Sequence, residues 1–239
     1  MNNTYYETLD KNFNEAIKLI ENSYSHAEII EMLRNGNIPQ KQFAALELKK
    51  AESNNDIKVL LENLTGQDGK IREAVSLKIK ELITQTIYKE YFLAQNMDML
   101  TDKFLDAIID INGNICRNIL DSLTFIKSSS VFTEIFTNKL TNLIFKLIDK
   151  IKDFDFKDGK YKVNKEVFKL YWCLEAVYIF YDKIDPETLK KVIRITKNID
   201  EYTIREKTAK ILSMNFQDHE LIKIRQELKQ DKNYYVRRY

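Results

Sequence analysis

The stretch "DGKIREAVSLKIKEL" (Asp68–Leu82) returns in altered form as "DEYTIREKTAKIL" (Asp200–Leu212). In each, an acidic residue is followed after a short gap by an isoleucine, an arginine and apolar residues at helical spacing. Ile71, Val75 and Ile79 stand four apart, with Ala74 and Leu82 filling the same side, which makes one apolar stripe of an α-helix. Ile204, Thr208 and Leu212 take the same offsets, and Arg205 matches Arg72. A sentence repeated within one chain points to a repeat architecture, and the remaining sequence supplies further copies.

"GNICRNILDSL" carries Ile115, Ile119 and Leu123, with Cys116 in the arginine place. "KVNKEVFKLYWCL" carries Val163, Val167 and Tyr171, with Asn164 in that place. "IPQKQFAALEL" aligns through Ile38, Gln42 and Leu46, and "NYYVRRY" opens a sixth copy at Val236 and Arg237. The marks fall at residues 38, 71, 115, 163, 204 and 236, at intervals of 33, 44, 48, 41 and 32. Each interval holds one antiparallel helix pair. The segment before several marks carries the punctuation of the pair's other helix. Ser25 and Glu28 have capping-box spacing and Gly36 closes that segment. Asp56 opens and Gly66 closes the next; Asp185 precedes Pro186 in a first turn, and Asp218 opens the last.

An acidic turn followed by isoleucine or valine, arginine, and small and apolar residues resembles the second helix of HEAT repeats, a family of armadillo-type α-solenoids. The resemblance runs from about residue 25 to 239 and is best at Asp68–Leu82 and Asp200–Leu212. It implies an all-α solenoid of stacked antiparallel helix pairs in a right-handed superhelix, because one pair cannot bury both of its apolar faces alone. The expected units are a capping helix at 1–24 and repeats at 25–53, 56–93, 97–127, 131–183, 185–214 and a truncated 218–239, giving eleven or twelve helices in one domain. In the family the second helices line the concave face, and the turn aspartate and arginine commonly join neighbouring repeats. Arg72 and Arg205 are expected to make such ties.

Composition agrees. Of 239 residues, 44% are hydrophobic and 31% charged, with only five glycines and two prolines, which favours long helices with short connections over many-stranded folds. Cys116 and Cys173 form no CxxC pair and read as buried small hydrophobes in a reducing compartment. The opening "MNNTYYETLDKNF" has neither the basic start nor the apolar core of a secretory signal, and "LYWCLEAVYIFY" is interrupted by Glu175, so the expected location is cytoplasmic with no membrane partner. Net charge is +2, but residues 1–110 sum to −5 and residues 111–239 to +7.

No catalytic, metal or cofactor set emerges. "DFDFKDGKYKVNKE" begins like a calcium loop with Asp153 and Asp155, yet places Lys157 and Asp158 where a ligand and a glycine belong, so it reads as a helix connection turning at Asp158-Gly159. His26 and His219 are the only histidines, no HExxH or GxSxG occurs, and "GQDGK" lacks P-loop spacing. The expected role is a non-catalytic scaffold or adaptor that binds a protein partner along the concave face. The alternatives are a nucleic-acid binder, including a DNA-glycosylase-like enzyme built around Trp172 or Arg117, and a lyase-type or chaperone-like helper. Candidate partner-binding residues are Arg72, Arg117, Trp172, Arg205, Tyr234, Tyr235, Arg237 and Arg238. The last four lie in "KIRQELKQDKNYYVRRY", with six basic and two acidic residues. An acidic protein segment is the preferred partner over nucleic acid. The sequence pI of 8.3 lies below the value of about 9 typical of dedicated nucleic-acid domains, so oligonucleotide binding should be weak and salt-sensitive.

Overall fold

The computed structural model describes residues 3–152 and 160–239, with side chains for 11–152 and 165–239. The calcium-like residues Asp153 and Asp155 and the Asp158-Gly159 turn lie outside the described residues. Fourteen helices and no strand occur among the described residues. The chain forms two compact units, Met1–Ala107 with Asn112–Ile126, and Ile108–Ile111 with Lys127–Tyr239.

In the first unit the order is α1 (Asn3–Ile20), α2 (His26–Asn35), α3 (Ile38–Glu47), α4 (Asn54–Asn63), α5 (Gly69–Ile83), α6 (Thr86–Leu93), α7 (Met97–Ile108) and α8 (Gly113–Ile126). One layer runs α2, α4, α6; the other runs α1, α3, α5, α8, each packed on the next. The second unit holds α9 (Ser130–Ile151), α10 (Lys160–Phe180), α11 (Pro186–Thr196), α12 (Tyr202–Leu212), α13 (His219–Leu228) and α14 (Tyr234–Arg237). Here α9 packs on α11 in one layer, and α10, α12 and α14 form the other, with α13 against α12. Each unit is thus an all-α stack of helix pairs. In each unit the helices with the repeated sentence form one layer, called that unit's B layer below.

All six marked residues lie in the first turn of a B helix: 38 in α3, 71 in α5, 115 in α8, 163 in α10, 204 in α12 and 236 in α14. The stripes behind them explain why. Ile71, Val75 and Ile79, then Ile115, Ile119 and Leu123, then Ile204, Thr208 and Leu212 are all essentially sealed from solvent. Each large aliphatic side chain so buried contributes about 1.5–3 kcal/mol. Caps set the helix starts. Ser25 and Glu28 form a reciprocal capping box on α2, Asp68 accepts from the Lys70 amide on α5, and Asp185, followed by Pro186, caps α11.

Three details differ from the sequence reading. The stripe Ile38, Gln42, Leu46 is not core: Ile38 and Leu46 are exposed, and α3 buries Pro39, Ala44 and Ala45 instead. The larger residues Ile38 and Leu46 instead line a groove shared with α1. The helix count is higher than expected, in part because "TIYKEYFL" forms its own short helix, α6, which anchors Phe92 in the core. Asp56 does not open α4 but stands three residues past the cap Ser53. There it accepts from the Glu52 amide at 2.7 Å and from His26 Nε2, placed 2.9 Å away.

Candidate functional site

The chemistry of the second unit gathers on its B layer. Helix α10 buries Leu170, Cys173, Leu174, Val177 and Phe180 on one side. Its other side, at i, i+3, i+4 and i+7, carries Phe168, Tyr171, Trp172 and Glu175, with Tyr178 next along the same side, all only partly covered. Helix α12 lays Lys207 and Lys210, three apart and therefore on one face, against that side. Lys207 Nζ lies 2.7 Å from Glu175 Oε1, and Lys210 Nζ lies 2.6 Å from Glu175 Oε2. The same ammonium groups lie over tyrosine rings, Lys207 at 4.4 Å from the Tyr171 centroid and Lys210 at 4.5 Å from that of Tyr178. Such cation–π contacts stabilise a desolvated charge that water would otherwise hold.

Burial pushes the Glu175 carboxyl up, yet the two lysines outweigh it and hold the group below its ordinary value. Burial pulls Lys207 down, and hydrogen bonding and charge from Glu175, with Tyr171 adding to it, override burial, so the group is held above the usual lysine range. The row continues toward α14. Glu206 faces Lys207 at 4.0 Å and accepts from Arg238 at 2.5 Å. The Arg238 guanidinium stacks on Tyr235 at 5.4 Å and Tyr239 at 5.1 Å, and Tyr235 meets Tyr202 of α12. Three cations, Lys207, Lys210 and Arg238, thus share two carboxylates, with an aromatic ring beside every cation.

The sequence candidates fall into distinct places. Arg205 is 6% exposed and binds Asp231 through Nε at 2.7 Å and Nη2 at 3.3 Å; its Nη1 donates to the Ile199 and Asp200 carbonyls. It ties α12 to the connection before α14, as the resemblance implies. Arg72 donates to the Gln67 carbonyl in the turn before its own helix. Arg117 is exposed on α8 and donates to Asn114. Trp172 is half-buried between Phe168 and Tyr171, edge-on to both. Tyr234 and Tyr235 are exposed, Arg237 donates to the Asp231 carbonyl, and Arg238 joins the charged row. Tyr235, Arg238 and Trp172 are therefore on the B layer of the second unit, and Arg72 and Arg117 belong to the first unit.

Glu175, Glu206, Lys207 and Lys210 were not singled out by sequence as site residues. The available signal was a lone carboxylate inside the most aromatic helix, read only as an interruption of an apolar run. In the first unit, α1 and α3 enclose a groove of about 570 Å³ lined by Phe13, Ile20, Ile38 and Leu46. Glu47 and Lys70 give its rim both signs of charge. Among the described residues no group of three or more His, Cys, Asp or Glu could hold a metal ion, and no helix is long and apolar enough to cross a membrane.

No family model and no curated protein matches the sequence. The solved structures to which the chain is similar include two engineered proteins. A designed armadillo repeat protein shares 12% identity with a TM-score of 0.49, covering 90% of this chain and 96% of its own. An engineered protein shares 13% identity with a TM-score of 0.46, covering 90% and 93%.

Proposed function

We propose that the protein is a non-catalytic scaffold or adaptor whose second unit binds an acidic segment of a protein partner along the B layer of α10, α12 and α14. The observation that supports this is the row of three cations sharing two carboxylates. One positive charge is left uncompensated on a surface where tyrosines supply rigid contact area. Tyrosine and arginine are enriched among the residues that anchor protein interfaces, and tyrosine buries much area for little lost rotamer freedom. Interleaved acids set the preference between anions. A duplex carries dense, uniform negative charge and would meet Glu175 and Glu206 directly, whereas a peptide can space its carboxylates to avoid them.

The test is a titration of the full chain with a synthetic peptide of alternating glutamate and tyrosine, a neutral glutamine counterpart, and duplex and single-stranded oligonucleotides, at low and physiological salt. The expected result is saturable binding of the acidic peptide alone at physiological salt, weakened by Arg238→Glu. Tight oligonucleotide binding at physiological salt, abolished by Arg237→Glu with Arg238→Glu, would replace the protein partner with nucleic acid. Equal binding of the glutamine peptide would remove the role assigned to charge.

A further inference from the structure

Resting on that reading, we infer that Glu175 is an internal occupant of the acidic partner's anchoring site: its carboxylate sits where a partner carboxylate would, and it limits the partner's affinity. Lys207 and Lys210 converge on this one group from the same face of α12, at 2.7 and 2.6 Å, one on each oxygen. A single carboxylate between two ammonium groups satisfies each of them once and leaves one charge over. The two lysines are not equivalent. The Lys207 side chain is 7% exposed and Lys210 is 25% exposed. Lys207 is therefore a fixed structural charge, also bounded by Tyr171 and by Glu206 at 4.0 Å. Lys210 sits beside the Tyr178 ring at the rim and keeps donor capacity, since an ammonium has three hydrogens and Glu175 takes one.

An incoming glutamate or aspartate carboxylate reaches Lys210 first and shares it with Glu175. In that arrangement two carboxylates face two ammonium groups, and the surplus charge is neutralised. Glu175 and the partner carboxylate also repel one another at close range, so the native pair holds binding below what the lysines alone would support. Glu175 thereby acts as a specificity-determining residue. It admits a single, spaced carboxylate and resists a ligand with adjacent charges.

Two variants read this directly with the glutamate–tyrosine peptide as probe. Glu175→Gln keeps an oxygen acceptor for one lysine and removes the charge; the expected result is about tenfold tighter binding with a steeper salt dependence. Lys210→Met leaves Glu175 paired one to one with Lys207, so its fold is retained; the expected result is about tenfold weaker binding, with the salt dependence shallower by about one charge. A third probe, oligoglutamate without spacers, should gain more from Glu175→Gln than the spaced peptide does. Unchanged or weaker peptide binding in a folded Glu175→Gln chain overturns the inference. So does unchanged binding in Lys210→Met. If the spaced peptide binds and only Arg237 and Arg238 variants weaken it, the acidic-partner reading stands and the anchoring site lies at α14 instead. If no acidic peptide binds the native chain or Glu175→Gln, both readings fall together.

Discussion

Arg205 and Arg72 occupy the same offset in the repeated sentence and differ in exposure. Arg205 is enclosed and fully engaged, with a bidentate contact to Asp231 and two backbone carbonyls. Arg72 is half-exposed, and the turn carbonyl of Gln67 accepts from it. Removing one partner of a buried pair strands the other charge away from water, which costs about 3–5 kcal/mol. Arg205→Leu is therefore expected to destabilise the second unit by about that amount, and Arg72→Leu to cost less because its side chain is half-exposed. Urea denaturation of both variants checks the ordering, and equal losses would refute it. The arginine offset was visible in the sequence, but Asp231, 26 residues further on, was not. The Glu175–Lys210 pair, 35 residues apart, was invisible for the same reason. Local periodicity reports which face a residue occupies and says nothing of what stands opposite it.

At the level of helices, periodicity worked where the core decides and failed where the surface does. The stripes of α5, α8 and α12 are buried as read: α5 packs between α3 and α8, α12 packs between α10 and α14, and α8 packs against α5. The stripe Ile38, Gln42, Leu46 has the right spacing but lies on the open side of α3, while Ala44 and Ala45 are the residues buried. A spacing of four cannot tell a large residue facing the core from one facing a groove. The α2–α3 connection makes a further test. Gly36 has an ordinary extended backbone, so conformational freedom is not its purpose. A Cβ there would run into the Met32 carbonyl and come within 2.8 Å of the Gln40 Cβ. Gly36→Ala must therefore push α2 and α3 apart, and overpacking of this kind costs about 1–3 kcal/mol. Helical content by circular dichroism should be retained while the thermal midpoint falls. A midpoint equal to or above that of the native chain would show that the turn relaxes without cost.

Across the whole molecule, the contrast between an acidic first stretch and a basic remainder was legible from the first count, because charge needs no fold to be summed. What that charge does for stability depends on the contacts. Glu175 is held below its ordinary value of 4.5 by Lys207 and Lys210 despite burial. Asp56 is held below 3.8 although burial opposes it, through the Glu52 amide, His26 and Ser53, and Asp231 is held down chiefly by Arg205. A carboxyl whose folded value is depressed binds its proton more weakly in the folded chain than in the unfolded one. Its contribution is complete above the unfolded value and disappears as pH falls through the folded value. Stability should therefore be level near neutrality and decline below about pH 4.5, with the steepest loss below about pH 4, as the unfolded chain takes up protons first. Thermal unfolding followed from about pH 7 to about pH 3 measures this. A substituted group cannot titrate, so Asp56→Asn and Glu175→Gln should each start from a lower neutral midpoint and fall less steeply. Asp56→Asn loses charge-assisted hydrogen bonds worth about 1.5–3 kcal/mol each. Identical slopes in the native chain and both variants would show that other groups carry the acid response, and that the lysine–glutamate row adds nothing to the cohesion of the second unit.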